Sequence, residues 1–260
     1  MQKKYTDFLS FAHFLSDVAS KELINNYKQL KVTSSKKIVR KKFELVTDID
    51  LKIEKKIRAL IERYFPHHSI IGEEFENKKT NSEFSWIIDP IDGTKAFATG
   101  IPVFGFLLSL KHYDKNIIGL VDLPKLKERF WNNRNKTKLN GKPIRTKACN
   151  KISKAIVAST EPNMFKNFNK INKDIFSQFD FMRWGTDITG YLRCAEGFID
   201  AVIERNIKIW DIAAVESIIK SAGGNISTWD GKPIGSNDTV CASGDKKLHT
   251  ILLKSLQKFI

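Results

Sequence analysis

Four acidic residues stand where strands end or helices begin: Glu73, Asp89, Asp92 and Asp211. The densest stretch is Trp86-Ile87-Ile88-Asp89-Pro90-Ile91-Asp92-Gly93-Thr94-Lys95-Ala96-Phe97. Trp86 to Ile88 reads as a buried strand. It is expected to stop at Asp89, because Pro90 has no N–H to give a ladder. Asp92-Gly93 reads as a tight turn, with Gly93 free to take angles closed to other residues. Thr94 is placed as the cap of a short helix through Lys95, Ala96 and Phe97. Two carboxylates three positions apart thus meet a helix start, whose free N–H groups suit phosphate. Carboxylates beside a phosphate seat are what magnesium phosphoryl chemistry needs: hard oxygen ligands for ions that flank the attacking and leaving oxygens. Crowded acids repel one another unless cations intervene, so such a cluster would imply metal. Each piece also has an ordinary reading. An Asp-Gly pair after a strand can be only a turn, and an Asp before proline only a strand terminator. Nothing in the linear order brings Asp211 to Asp89.

The elements that must position these residues follow from periodicity. A first helix runs from about Tyr5 to Tyr27, with Phe8, Phe11, Ala12, Leu15, Val18 and Ala19 on one face. A basic loop, Lys36 to Lys42, follows. Thr47 is a candidate N-cap with Asp50 at the third helical position, a capping box, and Ile53, Ile57, Leu60, Ile61 and Tyr64 face the core. Pro66 ends that helix, and His68 to Gly72 is a strand delivering Glu73 and Glu74. Val103 to Leu110 and Ile117 to Leu123 read as paired strands, continued by Phe130-Trp131 and a hairpin at Asn140-Gly141. From Ile152 strands and helices alternate, which suggests an α/β layer. A helix is expected from Pro162 to Phe168. Gly185-Thr186-Asp187 turns a strand into a helix, and Trp210-Asp211 opens another that ends at Gly223-Gly224. We expect a mixed N-terminal α+β part, 1–150, carrying most of the acidic set. A C-terminal α/β part, 151–260, would close the site.

The composition narrows the class. The chain has 260 residues, 42% of them apolar and 28% charged, enough for a sizeable core and against wholesale disorder. The net charge of +15 comes from scattered lysines, so no nucleic-acid partner is expected; a small anionic substrate would be steered by the same field. Cys149, Cys194 and Cys241 are far apart and odd in number, which fits reduced thiols in a cytoplasmic protein. Phe8 to Leu15 mimics a signal peptide only faintly, since Asp7, His13 and Asp17 interrupt it. No stretch approaches the ~20 apolar residues of a membrane span.

Four motifs in order resemble the inositol monophosphatase family across nearly the whole chain: Val46-Thr47-x-x-Asp50, Gly72-Glu73-Glu74, Asp89 to Thr94, and Trp210-Asp211-x-Ala213-Ala214 with Ala222-Gly223-Gly224. The resemblance implies a layered αβαβα fold and a magnesium-dependent phosphomonoesterase. It implies that Glu73, Asp89 and the Ile91 carbonyl hold one Mg2+, and that Asp89, Asp92 and Asp211 hold a second, with Asp89 bridging. A third, weaker ion near Glu73 and substitution by Mn2+ are also implied. Thr94 and Glu73 would activate the attacking water, with Asp50 polarising Thr94, although Asp50 can also be only a helix cap. The N–H groups of Gly93 and Thr94 would receive the phosphate. Lithium inhibition and a homodimer are implied by the family alone.

Asp92-Gly93-Thr94-Lys95-x-Phe97, Ser159-Thr160-Glu161-Pro162-Asn163-Met164-Phe165 and Thr228-Trp229-Asp230-Gly231 resemble the histidinol-phosphatase branch. There Asp187 would meet the cationic amine of the substrate, and Glu204, seven residues before Asp211, would contact the alcohol part. Lys95 completes the expected substrate set. The branch pattern is departed from where Thr186 replaces a glycine and Thr189 an aromatic. Alternatives are an inositol-1-phosphatase, a 3′-phosphonucleotide phosphatase, or an RNA-binding regulatory protein on the same fold.

Overall fold

The computed structural model describes residues 2–28, 35–39, 42–133 and 136–260. Helix α1 is Gln2–Asn26. Strands β1 (Ser35–Val39) and β2 (Lys42–Val46) pair antiparallel, Ser35 with Val46 and Val39 with Lys42. The stretch expected as a basic loop is therefore a hairpin, apart from Arg40 and Lys41, which lie outside the described residues. The β-formers Ile38, Val39, Phe43 and Val46 interrupt the lysines and favour pairing over an open loop. Helix α2 is Asp48–Tyr64, and the expected capping box is present: Thr47 accepts from the Ile49 and Asp50 amides, and Asp50 accepts from Thr47.

The chain then gives β3 (Ser69–Gly72), β4 (Phe84–Asp92), α3 (Thr94–Thr99), β5 (Gly105–His112), β6 (Lys115–Leu123), β7 (Glu128–Asn133), β8 (Lys136–Leu139) and β9 (Lys142–Ile144). These strands form one sheet in sequential order, antiparallel except for β3 beside β4. After it come β10 (Ile156–Ser159), α4 (Phe168–Asp174), β11 (Phe181–Trp184), α5 (Asp187–Ala195), β12 (Ala201–Arg205), α6 (Ile209–Ser221), β13 (Asn225–Ser227), β14 (Thr239–Ser243) and α7 (Lys246–Leu256). Their strands make a second sheet in the order β11-β10-β12-β14-β13. The helix expected from Pro162 is only a 3-10 turn, Pro162–Met164, before α4.

Three apolar layers separate these elements. Leu15 and Leu23 of α1 and Ile53, Ile57 and Ile61 of α2 pack on Trp86, Ile88, Phe106 and Leu108 of the first sheet. The opposite face of that sheet, with Leu107 and Val121, meets Ile188 and Leu192 of α5 and Val215 and Ile218 of α6. Val202 and Ala242 of the second sheet close this middle layer, while Ile203 and Cys241 face Leu248 and Leu252 of α7. Strand residues alternate between layers with the two-residue period of the pleat. The result is the expected αβαβα stack. The three cysteines are free, Cys194 and Cys241 buried and Cys149 half-buried. Among the described residues no helix is long and apolar enough to cross a membrane.

Two local features decide where the acids go. Strand β4 does not stop at Asp89, as expected from Pro90, but continues to Asp92. Its register against β5 slips between Asp89–Leu107 and Asp92–Gly105. Pro90 falls in that irregularity, where the ladder asks for no N–H, and the bend re-aims both aspartates. The second feature is Gly119 on β6. A Cβ there would stand 2.0 Å from the Ala214 carbonyl oxygen of α6. Only a glycine lets α6, which carries Asp211, lie this close to the first sheet. Gly119→Ala is therefore expected to cost about 1–3 kcal/mol of stability through overpacking. It should also lower turnover in the protein that remains folded, read by thermal melting in EDTA alongside kcat.

Candidate active site

The acids converge where β3, β4, α2, α5 and α6 end or begin. Asp89 is buried, with 2% of its surface exposed. Its Oδ1 accepts from the Ile91 amide at 3.0 Å. Asp92 accepts from the Ile188 amide at 2.8 Å, across 96 residues of sequence, so the first turn of α5 fixes it. Asp211 accepts from the Lys208 amide at 2.8 Å, at the start of α6. Lysine cannot return the bond, so this is half a capping box. In all three a backbone N–H sets one carboxylate oxygen, which orients the side chain without neutralising it.

Gly93, with φ of 80°, is the residue at the helix boundary, and Thr94 is the first residue of α3, not its cap. A Cβ on Gly93 would lie 2.9 Å from the Val103 carbonyl oxygen. Freed from capping, the Thr94 hydroxyl donates to the Ile91 carbonyl at 2.9 Å and also lies in hydrogen-bond reach of Asp50. Asp50 accepts from Thr47 at both its amide (2.8 Å) and its hydroxyl (2.5 Å) through Oδ2. Asp50 thus caps α2 and reaches Thr94 at once. Glu73 follows β3, and its carboxyl lies near enough to that of Asp89 for the two to act on each other.

Glu204 and Asp187 stand beside this group. The buried Glu204 accepts from the Thr160 hydroxyl at 2.6 Å and from the Tyr191 hydroxyl at 2.8 Å. Its charge is therefore met by neutral donors. Asp187 opens α5 with φ of 42°, a left-handed conformation that Asp tolerates better than most residues and that marks sites held under constraint. Lys95 is exposed and pairs with Glu161 at 2.9 Å, and its charge acts on Asp187. Glu74 is a partly buried neighbour of Glu73, and its amide bonds Glu54.

Burial, reinforced by mutual repulsion, raises these carboxyls. Glu73, Asp89 and Asp92 are all pushed well above the usual carboxylate range, by desolvation first; Asp211 and Glu74 then add to it at Glu73, Glu73 and Asp92 at Asp89, and Asp187 and Asp211 at Asp92. Desolvation takes Asp50 and Asp187 to about 6 and Glu204 to about 7. Acids that resist ionisation together form a set that a hard divalent cation would satisfy. Among the described residues, no three His, Cys, Asp or Glu side chains gather closely enough to hold a single ion in this arrangement. The fold thus supplies a compatible donor set rather than a closed cage.

Sequence reading gave no role to Thr160, Tyr191 or Glu54, although Thr160 stands in the string Ser159 to Phe165. Tyr191 lies four residues after Asp187, the spacing that stacks side chains on one helix face, and Glu54 stands likewise after Asp50. Thr160 carries no such signal, because its partner is 44 residues away.

With this geometry in place, comparison with known proteins is decisive. The model of the inositol monophosphatase family matches residues 4–260. The chain belongs to that family. It is a metal-dependent phosphomonoesterase, of a family that generally uses Mg2+. Bifunctional phosphatase IMPL2 of Arabidopsis thaliana is 37% identical over 85% of this chain and 70% of that protein. A histidinol-phosphatase of Streptomyces coelicolor is 29% identical over 98% of both. A solved inositol monophosphatase from Zymomonas mobilis superposes with a TM-score of 0.86 at 27% identity, covering 97% of this chain and 98% of the other.

Proposed function

We propose that this member of the family hydrolyses L-histidinol phosphate to L-histidinol and phosphate. The observation that carries the reading is the pair Asp187 and Glu204, beyond the metal-type acids and close enough to Asp92 to raise its pKa. Two acids at that end, one of them met only by neutral donors, select an alcohol bearing a cation over one bearing hydroxyls alone. The likeness to a histidinol-phosphatase supports it, as do the motifs around Lys95 and Glu161.

In this reading Glu73, Asp89 and the Ile91 carbonyl would hold one Mg2+, and Asp89, Asp92 and Asp211 would close on a second as it binds, with a third weaker position beside Glu73 and Mn2+ as a substitute. Bound Mg2+ would acidify the attacking water and offset phosphate charge. The amides of Gly93 and Thr94 receive the phosphate oxygens. Thr94 and Glu73 orient a water in line with the ester, and Asp50 orders the Thr94 hydroxyl. A bond forms from the water oxygen to phosphorus as the ester P–O bond breaks, and the proton that the water gives up replaces phosphorus on the leaving oxygen.

A substrate panel with Mg2+ tests this. Histidinol phosphate should give the highest kcat/KM against inositol-1-phosphate and a 3′-phosphonucleotide. Turnover of inositol phosphate with none of histidinol phosphate would reject it.

A further inference from the structure

Helix α2 carries a polar stripe at four-residue spacing, Asp50, Glu54 and Arg58, along a face otherwise built of isoleucines. Asp50 reaches Thr94. Glu54, fully buried, does something different. Its Oε2 accepts from the Glu74 amide at 2.8 Å, and its Oε1 from the Phe75 amide at 3.3 Å and Arg58 Nε at 2.7 Å. Arg58 Nη2 in turn donates to the Phe75 carbonyl at 3.1 Å. The pair therefore holds both amides after Glu73 and the carbonyl that follows them.

The residue before Glu73 is closely approached by the same pair. A Cβ on Gly72 would lie 2.1 Å from Glu54 Oε1 and 2.8 Å from Arg58 Nη2. Gly72 is not among the glycines with left-handed φ, so its backbone angles do not demand glycine; the approach of Glu54 does. Burying a carboxylate and a guanidinium costs solvation that their attraction barely offsets, so the pair is a poor device for stability. It is a good one for fixing a backbone, because both Glu54 oxygens and two Arg58 nitrogens are engaged, three of their contacts with the backbone of Glu74 and Phe75.

We propose that Glu54, locked by Arg58, is a positioning residue that fixes the turn carrying Glu73 so that its carboxylate meets Asp89. The proposal rests on the reading of Glu73 as a group that holds metal and orients water. Residues that orient ligands from behind cost about 10–100-fold in metal affinity or activity when lost.

The test uses the full chain and Mn2+ alone, followed by electron paramagnetic resonance of the free ion, with kcat under Mg2+ and melting in EDTA. Glu73→Gln, Glu54→Gln and Gly72→Ala are compared. Glu54→Gln is expected to melt within a few degrees of wild type, bind Mn2+ about tenfold more weakly and lose about 10–100-fold in kcat. Gly72→Ala keeps Glu54 in the chain but drives its carboxylate away, and should do the same. Adding Glu54→Gln to Glu73→Gln should change Mn2+ binding by less than about twofold, since residues acting through one group are not additive. If Glu73→Gln weakens Mn2+ binding while the folded Glu54 or Gly72 variants match wild type, the positioning role is overturned and the reading of Glu73 stands. If Glu73→Gln itself binds Mn2+ as wild type does, that reading fails and the positioning role with it. Failure of both Glu54→Gln and Gly72→Ala to fold also overturns it, because the pair would then be carrying the fold rather than the site.

Discussion

Asp89→Asn is expected to abolish hydrolysis almost completely while leaving the protein folded. The side chain is buried, and its Oδ1 accepts from the Ile91 amide. Asparagine keeps that acceptor and the same shape, so the turn through Pro90 survives. What it loses is the charge that, in the proposed site, both ions share. Removing a bridging carboxylate should cost roughly a thousandfold in kcat/KM, about 4 kcal/mol at ~1.4 kcal/mol per decade. Stability moves the other way. Asp89 and its neighbours have folded pKa values raised above those of the unfolded chain, so the folded state binds more protons. In EDTA, the contribution of these acids to stability is then fully present below their unfolded values and is lost as pH rises through the raised folded ones. Asp89→Asn removes one of the repelling charges and should flatten that fall, melting at or above wild type at pH 8. Loss of activity with a lowered melting point in EDTA would instead mean a damaged fold.

What could be read in advance, and what could not, divides by distance along the chain. The string from Asp89 to Thr94 is contiguous, so its turn, its glycine and its acids were legible, and the capping box of Thr47 and Asp50 closes within four residues. The run of β4 through Pro90 was not, because the slip in register depends on where β5 pairs. Thr94 was misplaced as a cap for a related reason. Gly93 takes the left-handed boundary position, and the hydroxyl is released to Ile91 and Asp50. The hairpin over Ser35–Val46 was hidden by its lysines. Least legible were the contacts that join the halves. Asp92 to Ile188 and Glu204 to Thr160 are fixed by how α5 and β10 pack, and no local pattern announces them. The family resemblance supplied Asp211 beside Asp89 where spacing alone left it open.

The sharpest consequence of that packing falls on Glu204. Its carboxyl is raised from the ordinary 4.5 to about 7, chiefly by burial, against the lowering pull of Thr160 and Tyr191. It is therefore largely neutral at pH 6 and charged at pH 8. If it reads a substrate cation, kcat/KM for histidinol phosphate should rise through about pH 7 beyond any rise shared with inositol-1-phosphate, whose phosphate ionises alike. Glu204→Gln keeps the shape, and a hydroxyl can turn to accept from the new amide. At pH 8 it should lose roughly 10–100-fold on histidinol phosphate, the worth of a charge-assisted bond, and less than about tenfold on inositol-1-phosphate. At pH 6 the two enzymes should converge on histidinol phosphate, because wild type is then protonated. The stability sign runs opposite. A raised folded pKa means stability present below the unfolded value and lost as pH rises toward 7, so Glu204→Gln should melt higher than wild type at pH 8 and nearly equal to it at pH 4. Equal losses on both substrates, unchanged between pH 6 and pH 8, would show that Glu204 serves only as an acceptor for hydroxyls, and the cationic substrate would lose its strongest support.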